Sequence, residues 1–495
     1  MSREIHRRTV LKGAGAAMLL AGVGGAPARS ALSREELWQP PVVTAGPDGT
    51  LSTELVARYG EHRLAGMPVS LRGYDGLPVG RTLRLRAGSK LNVTLKNELP
   101  FDLPGASCGN QPHSFNVTNL HLHGMHVSPN EPQDYILLTL VPRVTAESDG
   151  TGGSIWQYGY RYEIEPDHPC GTFYYHSHYH GSVALQVASG MGGALIVLGA
   201  VDDIPEIARA TEKVMMFQSP RLDAFGRCES AAVLEQPGPT VINGQLAPRV
   251  TLAPGEVQRW RLINGTHMTM LDLSCPDAEM VLLCRDGNPR PRTEVLTAPL
   301  RLVPGNRADV LVRAPKTPGT YALFDGEHIL ATLAVEGTRR DDPLFSGALP
   351  SFTALKPLEE KDINYGRRLV FGMAGAPPNA LYTVNNRPFS CDLKDAWTVK
   401  LNTAEEWEVI NQTNDIHPFH IHTNPFQLVE GGNAPPGTWL DTVEIPPAQR
   451  VRFRTRFLKY AGAMVFHCHT LPHEDMGMMQ IVLRCVMQIV TRDVP

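Results

Sequence analysis

A chain of 495 residues, 42% hydrophobic and 19% charged, is long enough for two to four domains, each with its own core. With 46 Lys and Arg against 50 Asp and Glu the net charge is −4, and no strong basic run follows the N-terminal segment, so nothing points to nucleic acid. The 45 glycines and 41 prolines are spread along the chain, a pattern of many turns between short strands rather than of long helices.

The N-terminus reads as an address. Arg7 and Arg8 open a charged stretch ending at Lys12, a small apolar run follows from Gly13 to Gly25, and Ala26-Pro27-Ala28 has the form of a cleavage site. The apolar run is too short to span a bilayer, and no later segment reaches the roughly 20 apolar residues that a transmembrane helix needs. The paired arginines resemble a twin-arginine export signal over residues 1–31, the alternative being an ordinary secretory signal. The expectation is a soluble chain, periplasmic or extracellular, with no membrane partner, beginning between Arg29 and Leu32.

Two elements then recur three times. One is a turn followed by an alternating strand that ends in Asn: Ala87 to Asn97, Pro254 to Asn264 and Thr403 to Asn411. The other is a glycine-led strand: Gly171 to His178, Gly319 to Gly326 and Gly462 to His469. Five and seven residues after the glycine stand histidines in the first and third copies, but Phe324 and Gly326 in the second. Three related all-β units follow from this, of which only the outer two carry candidate metal ligands. Boundaries fall near Gly199 to Pro205 and between Gly337 and Glu360, and a short helix is expected within Ile204 to Glu212.

The histidines concentrate. Of 18, ten lie in four clusters: His121-Leu122-His123, His176-Ser177-His178, His417 to His422, and the stretch from His467 to His473. One H-x-H is more often structural than functional, but four at equivalent points of a repeat are specific. Side chains on a strand alternate faces, so each H-x-H puts both rings on one side. By the same parity His420 and His422 share a face with each other and His417 lies on the opposite one.

The last cluster organises the rest. Cys468 stands between His467 and His469, His473 follows five residues later, and Met478 five after that. Thiolate, imidazole and thioether together are a soft donor set that suits copper better than magnesium, calcium or manganese. Cys468 points away from its two flanking histidines, so one strand serves two sites: His417, Cys468, His473 and Met478 for a single ion, and eight histidines for a cluster. Eight cysteines are present (Cys108, Cys170, Cys228, Cys275, Cys284, Cys391, Cys468 and Cys485), and if Cys468 binds metal, at least one of the other seven is unpaired in a monomer.

On these motifs the chain resembles the multicopper oxidases of the three-domain, laccase-like type, from about Glu54 to Arg484. The resemblance implies an all-β architecture of three consecutive cupredoxin-like Greek-key sandwich or barrel domains at 38–200, 205–338 and 360–495. It implies four copper ions. His417, Cys468 and His473 match the ligands of the type 1 copper, with Met478 axial. His121 and His420 match those of the type 2 copper, and His123, His176, His178, His422, His467 and His469 those of the type 3 pair. The cluster then lies between the first and third domains, with the middle one as a spacer. Asp134 and Glu474 are candidate proton carriers, against the alternative of solvated carboxylates, while Asp475 reads as structural. The other histidines near the clusters (His113, His126, His168 and His180) read as neighbours rather than ligands, and Met476 and Met479 as packing.

The implied reaction couples four one-electron oxidations of a small reducing substrate to the reduction of O2 to water, in a monomer. Phenols or aromatic amines are the first substrate class. A cuprous or ferrous ion is the second, although Phe371 to Asn411 holds only Met373 where cuprous oxidases of this family carry many methionines. A third reading is an exported scaffold without chemistry, whose members have lost copper ligands that this sequence keeps. Export is directly testable: replacing Arg7 and Arg8 together with Lys should leave precursor in the cytoplasm on fractionation, and normal export of that variant would favour the general secretory route.

Overall fold

The computed structural model describes residues 35–105, 109–143, 155–235, 238–375 and 380–485. The leader at 1–31, Cys108 and the end of the chain beyond Cys485 lie outside the described residues. The described chain is almost entirely β, in six sheets that fall into three consecutive pairs. Each pair encloses one apolar cluster. Leu91, Val93, Leu95 and Tyr160 belong to the first, Trp260, Leu262 and Val310 to the second, and Trp407, Phe419 and Phe453 to the third.

The four strands that carry the clustered histidines are labelled β1 (His121–His123), β2 (Gly171–His176), β3 (His417–Ile421) and β4 (Gly462–Cys468). In the first unit β2 lies between β1 and Gly192–Leu198, antiparallel to both. In the third, β4 lies in the same way between β3 and Met479–Cys485. The middle unit repeats this with Gly319–Asp325 between Leu271–Ser274 and His328–Val335. Where His121 pairs with His176, the middle unit pairs Ser274 with Phe324, and the neighbouring Leu271 and Leu273 are buried in its core.

The recurring element that ends in Asn forms the strands Lys90–Asn97, Val257–Asn264 and Thr403–Asn411. Lys90–Asn97 alternates exposed or half-buried with buried positions, as a strand with one solvated face must. All three end in a buried asparagine with one task. Asn97 Nδ2 donates to the carbonyls of Asn116 and Leu140, Asn264 Nδ2 to those of Thr269 and Leu302, and Asn411 Nδ2 to those of Asp415, Ile445 and Pro446. Each amide thus satisfies irregular backbone that burial would otherwise leave unpaired.

The expected helix at 204–212 is shorter. It spans only Pro205–Ala208, because Thr211 already belongs to the strand Thr211–Gln218, which runs parallel to Val257–Asn264. A second helix, Val183–Ser189, was not foreseen. All seven of its residues are buried, so it has no polar face to give a 3.6-residue period. Among the described residues no helix is long and apolar enough to cross a membrane.

The segment just ahead of the first unit packs elsewhere. Leu37 donates its N–H to Arg249 O at 2.7 Å, Arg249 N donates to Glu35 O at 2.8 Å, and the Leu37 side chain enters the middle unit's core beside Trp260. Truncating a buried Leu to Ala costs about 2–4 kcal/mol. Leu37→Ala should therefore lower the denaturation midpoint followed by tryptophan fluorescence, in which buried Trp260 reports the middle unit. An unchanged midpoint would mean that the arm is not docked in solution.

Candidate metal centre

Pairing sets the site. In the first unit His121 faces His176 across β1 and β2, and in the third His420 faces His467 across β3 and β4. Only His121–His123 lies wholly within a strand. His178, His422 and His469 follow the ends of β2, β3 and β4, so the clustering needs the strand ends as well as the strands. The eight rings are all buried and meet at the seam between the first and third units.

Three buried carboxylates each hold one imidazole from either side of that seam. Asp134 Oδ2 accepts from His121 Nδ1 at 2.8 Å and lies 4.0 Å from His422 Nδ1. The His121 and His422 rings are stacked, with centroids 3.8 Å apart. Asp441 Oδ1 accepts from His123 Nε2 at 3.1 Å, and its carbonyl accepts from His420 Nδ1 at 2.8 Å. Those two rings are stacked as well, at 3.7 Å. Glu474 lies 2.9 Å from His467 Nδ1 and 3.5 Å from His178 Nδ1. Of the remaining two, His176 Nδ1 donates to Ser177 O at 2.7 Å, and His469 Nε2 lies 3.1 Å from the Tyr174 hydroxyl.

Each such bond uses one ring nitrogen and turns the other inward. His121 Nε2, His123 Nδ1, His176 Nε2, His420 Nε2 and His469 Nδ1 are buried without any hydrogen-bond partner. The Nε2 atoms of His178 and His422 each lie 3.2 Å from His467 Nε2. Burial and then the neighbouring rings hold His121, His422 and His469 far below the ordinary histidine range, and His178 at about 3. Neutral imidazoles with convergent lone pairs and no protons to share are a donor set that a cation completes. Unpartnered buried polar atoms in such number would otherwise be costly.

The second centre lies on the other face of β4. His417 Nδ1 is 3.4 Å from Cys468 Sγ, His473 Nδ1 is 3.9 Å from it, and the two imidazole nitrogens are 3.1 Å apart. His473 comes from the short helix Leu471–Asp475, which folds the chain back over Cys468. Met478 donates its N–H to His473 O and accepts from Cys468 N, and it is fully buried with Phe371 and Cys468. Met479 points into a different cluster with Ile136 and Phe389, and Met476 packs at the edge. Burial pushes the Cys468 thiol well above its ordinary value, so a bound cation is what makes a thiolate there. Thr413 Oγ1 bonds His417 Nε2 at 2.6 Å and thereby leaves Nδ1 facing the sulfur. Tyr382 lies flat on His473, with ring centroids 4.0 Å apart.

Both candidate proton carriers lie at the cluster, not at the surface. Burial raises Asp134 to about 8, against the pull of the Leu122 N–H, and raises Glu474 to about 7, against the pull of His178 and His420. Asp475 caps the neighbouring helix instead, accepting from the N–H groups of Gly181 at 2.7 Å and Ala184 at 2.9 Å. His126 donates its N–H to His168 Nε2 at 3.1 Å, and His180 Nε2 lies 3.1 Å from Asn110 Oδ1, so these three rings flank the cluster without joining it. His113 lies outside it too, against Gln111 O.

Sequence reasoning missed Asp441, Thr413, Tyr382 and Arg307. None keeps a fixed spacing to a histidine, and Arg307 belongs to the unit that has no histidine ligands.

The comparisons agree with this geometry. Multicopper oxidase family models match residues 220–338 and 362–485. A laccase of Bacillus subtilis is 23% identical, over 83% of this chain and 90% of the relative. A multicopper oxidase of Staphylococcus haemolyticus is 25% identical, over 82% of each. Among solved structures, a laccase from Pediococcus acidilactici superposes with a TM-score of 0.76 at 22% identity, covering 94% of this chain and 95% of that one. A multicopper oxidase from Campylobacter jejuni, described as a metallo-oxidase, gives 0.71 at 23% identity over 93% and 99%. With a nearly all-β chain of cupredoxin-like domains, a Cys-His-His site and a convergent histidine cluster, the chain belongs to the multicopper oxidase family, copper-dependent oxidoreductases that use O2 as electron acceptor.

Proposed function

We propose that the chain is a laccase-like enzyme that oxidises phenols or aromatic amines by single electrons and reduces O2 to water. One observation carries this reading: Cys468 joins the two centres through its own backbone, with His467 and His469 as its immediate neighbours in sequence. His417, Cys468, His473 and Met478 would hold a type 1 copper. His121 and His420 would hold a type 2 copper, and His123, His176, His178, His422, His467 and His469 a type 3 pair. When bound, these four coppers supply one-electron acceptance at one end and delivery of four electrons to O2 at the other.

The chain's own residues supply the rest. His473, 9% exposed, is the one member of the type 1 set that reaches the edge of the fold, beside Tyr382, so a reducing substrate docks there. The buried apolar shell of Phe371, Met478 and Cys468 keeps water from the sulfur. Glu474 and Asp134 each hold a proton near neutral pH, at carboxyl oxygens within 4.0 Å of cluster imidazoles, and are placed to deliver protons to reduced oxygen. Oxidation of cuprous or ferrous ions is the second reading. It is favoured by the metallo-oxidase description of the Campylobacter protein, while the single Met373 in Phe371 to Asn411 speaks against a cuprous substrate. The twin-arginine-like leader and the disulfide at Cys391 support export to an oxidising compartment, as a monomer in the periplasm or outside the cell.

Metal analysis should find about four coppers per chain, as the donor sets require. Cys468→Ser should lose the blue colour and all oxidase activity yet keep the cluster copper; a fully loaded wild type with one copper would sink the cluster assignment. Oxygen uptake with phenols, Cu(I) and Fe(II) in parallel decides the substrate class. Met478→Leu removes a weak donor at little packing cost, under about 1.5 kcal/mol. It should raise the type 1 potential while fold and copper content hold, and a potential raised instead by Met476→Leu or Met479→Leu would mean that another methionine is the donor.

A further inference from the structure

The middle unit reaches the support of the histidine cluster with several buried side chains, Arg307 foremost among them. Arg307 opens the strand Arg307–Arg313 and is wholly buried. Its guanidinium forks onto the Asp441 carboxylate of the third unit, Nη1 to Oδ1 at 2.8 Å and Nη2 to Oδ2 at 2.5 Å. Nε donates to Thr172 O of the first unit at 3.3 Å, Nη1 also donates to Gly305 O at 2.8 Å, and the group lies over the rings of Phe173 and Tyr174. One planar cation therefore touches all three units. Below it, Asp286 Oδ1 accepts from Arg307 N, and Asp286 Oδ2 accepts from the N–H groups of Asp441 and Thr442.

Asp441 is what Arg307 grips, and Asp441 sets two imidazoles. Its carboxylate takes the proton of His123 Nε2, leaving Nδ1 to face inward, while its carbonyl takes that of His420 Nδ1, leaving Nε2 inward. The two stacked rings thus present different nitrogens, and Asp441 fixes both choices together with the neighbouring Thr442 hydroxyl, 3.2 Å from His123 Nε2 and 3.1 Å from His420 Nδ1. Space is tight around this contact. A side chain at Gly124 would overlap the Arg307 guanidinium and the Asp441 carboxylate, and one at Gly305 would press on His123 and His469.

We infer that Arg307 is a positioning residue for the histidine cluster: by clamping Asp441 it fixes the tautomer and orientation of His123 and His420, so the middle unit tunes the copper cluster rather than only spacing its neighbours. The inference rests on the cluster reading given above. A fork that grips both carboxylate oxygens is specific to arginine. Lysine keeps the charge but offers a single point of contact, free to swing.

The test compares three variants of the copper-loaded protein. Arg307→Lys keeps the charge and loses the fork. Asp441→Asn keeps the shape and loses the carboxylate. Arg259→Lys is the control, since Arg259 is an equally buried arginine of the middle unit, paired with Asp202 and Asp309 and touching no histidine. Outer partners of metal-ligating histidines contribute about 10- to 100-fold to metal affinity. In Arg307→Lys and Asp441→Asn, copper of the cluster should be lost to a chelator at least about tenfold more readily. The hyperfine splitting of the type 2 EPR signal should change, and the type 1 absorption should persist. In Arg259→Lys the melting temperature should fall with both copper signals as in the wild type.

Wild-type EPR and chelator resistance in Arg307→Lys, with a stability loss like that of Arg259→Lys, would overturn the positioning role and leave a structural one. If Arg307→Lys does not fold, Asp441→Asn decides in the same two directions. A wild type that binds one copper would instead overturn the cluster reading itself.

Discussion

Eight buried imidazoles, with their ring nitrogens turned to one another, are the constraint on which the rest of the structure depends. Such an arrangement repels itself, so each ring has to be held from behind. Here the holding is done by carboxylates placed on the seam. Asp134 serves His121 and His422, Asp441 serves His123 and His420, and Glu474 serves His178 and His467. Each acid takes one ring from the first unit and one from the third. Assembly of the seam and orientation of the rings are therefore one event. A change that opens the seam also frees the rings, and a cation bound among them also ties the units together.

The three carboxylates differ in what opposes their burial. Asp441 has Arg307 against it, and although burial works to raise it, the guanidinium prevails and holds it down at about 2. Asp134 and Glu474 have only imidazoles and backbone N–H groups near them, and burial wins. Identical chemistry thus yields one fixed anion and two acids poised near neutrality, separated by the presence of one arginine. The arginine comes from the unit that carries no ligands. That unit has Ser274 and Phe324 where the first has His121 and His176, yet its edge at Gly305 to Arg307 lies against the cluster.

Much of this was legible in the sequence, and the reason is geometric. A period of two fixes which side chains share a face, so placing His467 and His469 opposite Cys468 needed only the knowledge that the stretch is a strand. The repeat supplied that knowledge, because Gly171, Gly319 and Gly462 open equivalent strands in equivalent sheet positions. The terminal asparagines were visible as a pattern, although their shared task of satisfying buried loop carbonyls was not. Contacts across unit seams left no periodic trace. Arg307 and Asp441 are 134 residues apart, and neither stands at a fixed interval from a histidine. Asp134 read equally well as a solvated or a buried acid, since nothing local to it told that β1 would fold over it. The short helix that carries His473 has five residues, too few to show a helical period.

The two faces of β4 also explain why the centres differ so sharply in access. The cluster face is closed by the first unit, and its six first- and third-unit rings nearest the carboxylates are at most 2% exposed. The Cys468 face is closed only by the third unit's own core and by the fold-back of Leu471–Asp475, which leaves His473 at the edge under Tyr382. Asp475 ties that fold-back to the first unit by capping Val183–Ser189, so the segment carrying His473 and Glu474 is anchored at both ends. Donor atoms that must hold a fixed arrangement through repeated changes of charge require such anchoring, because a looser site would reorganise with every electron. One strand, closed on one side by a neighbour and on the other by its own chain, gives a sheltered centre and a reachable one joined by a single residue.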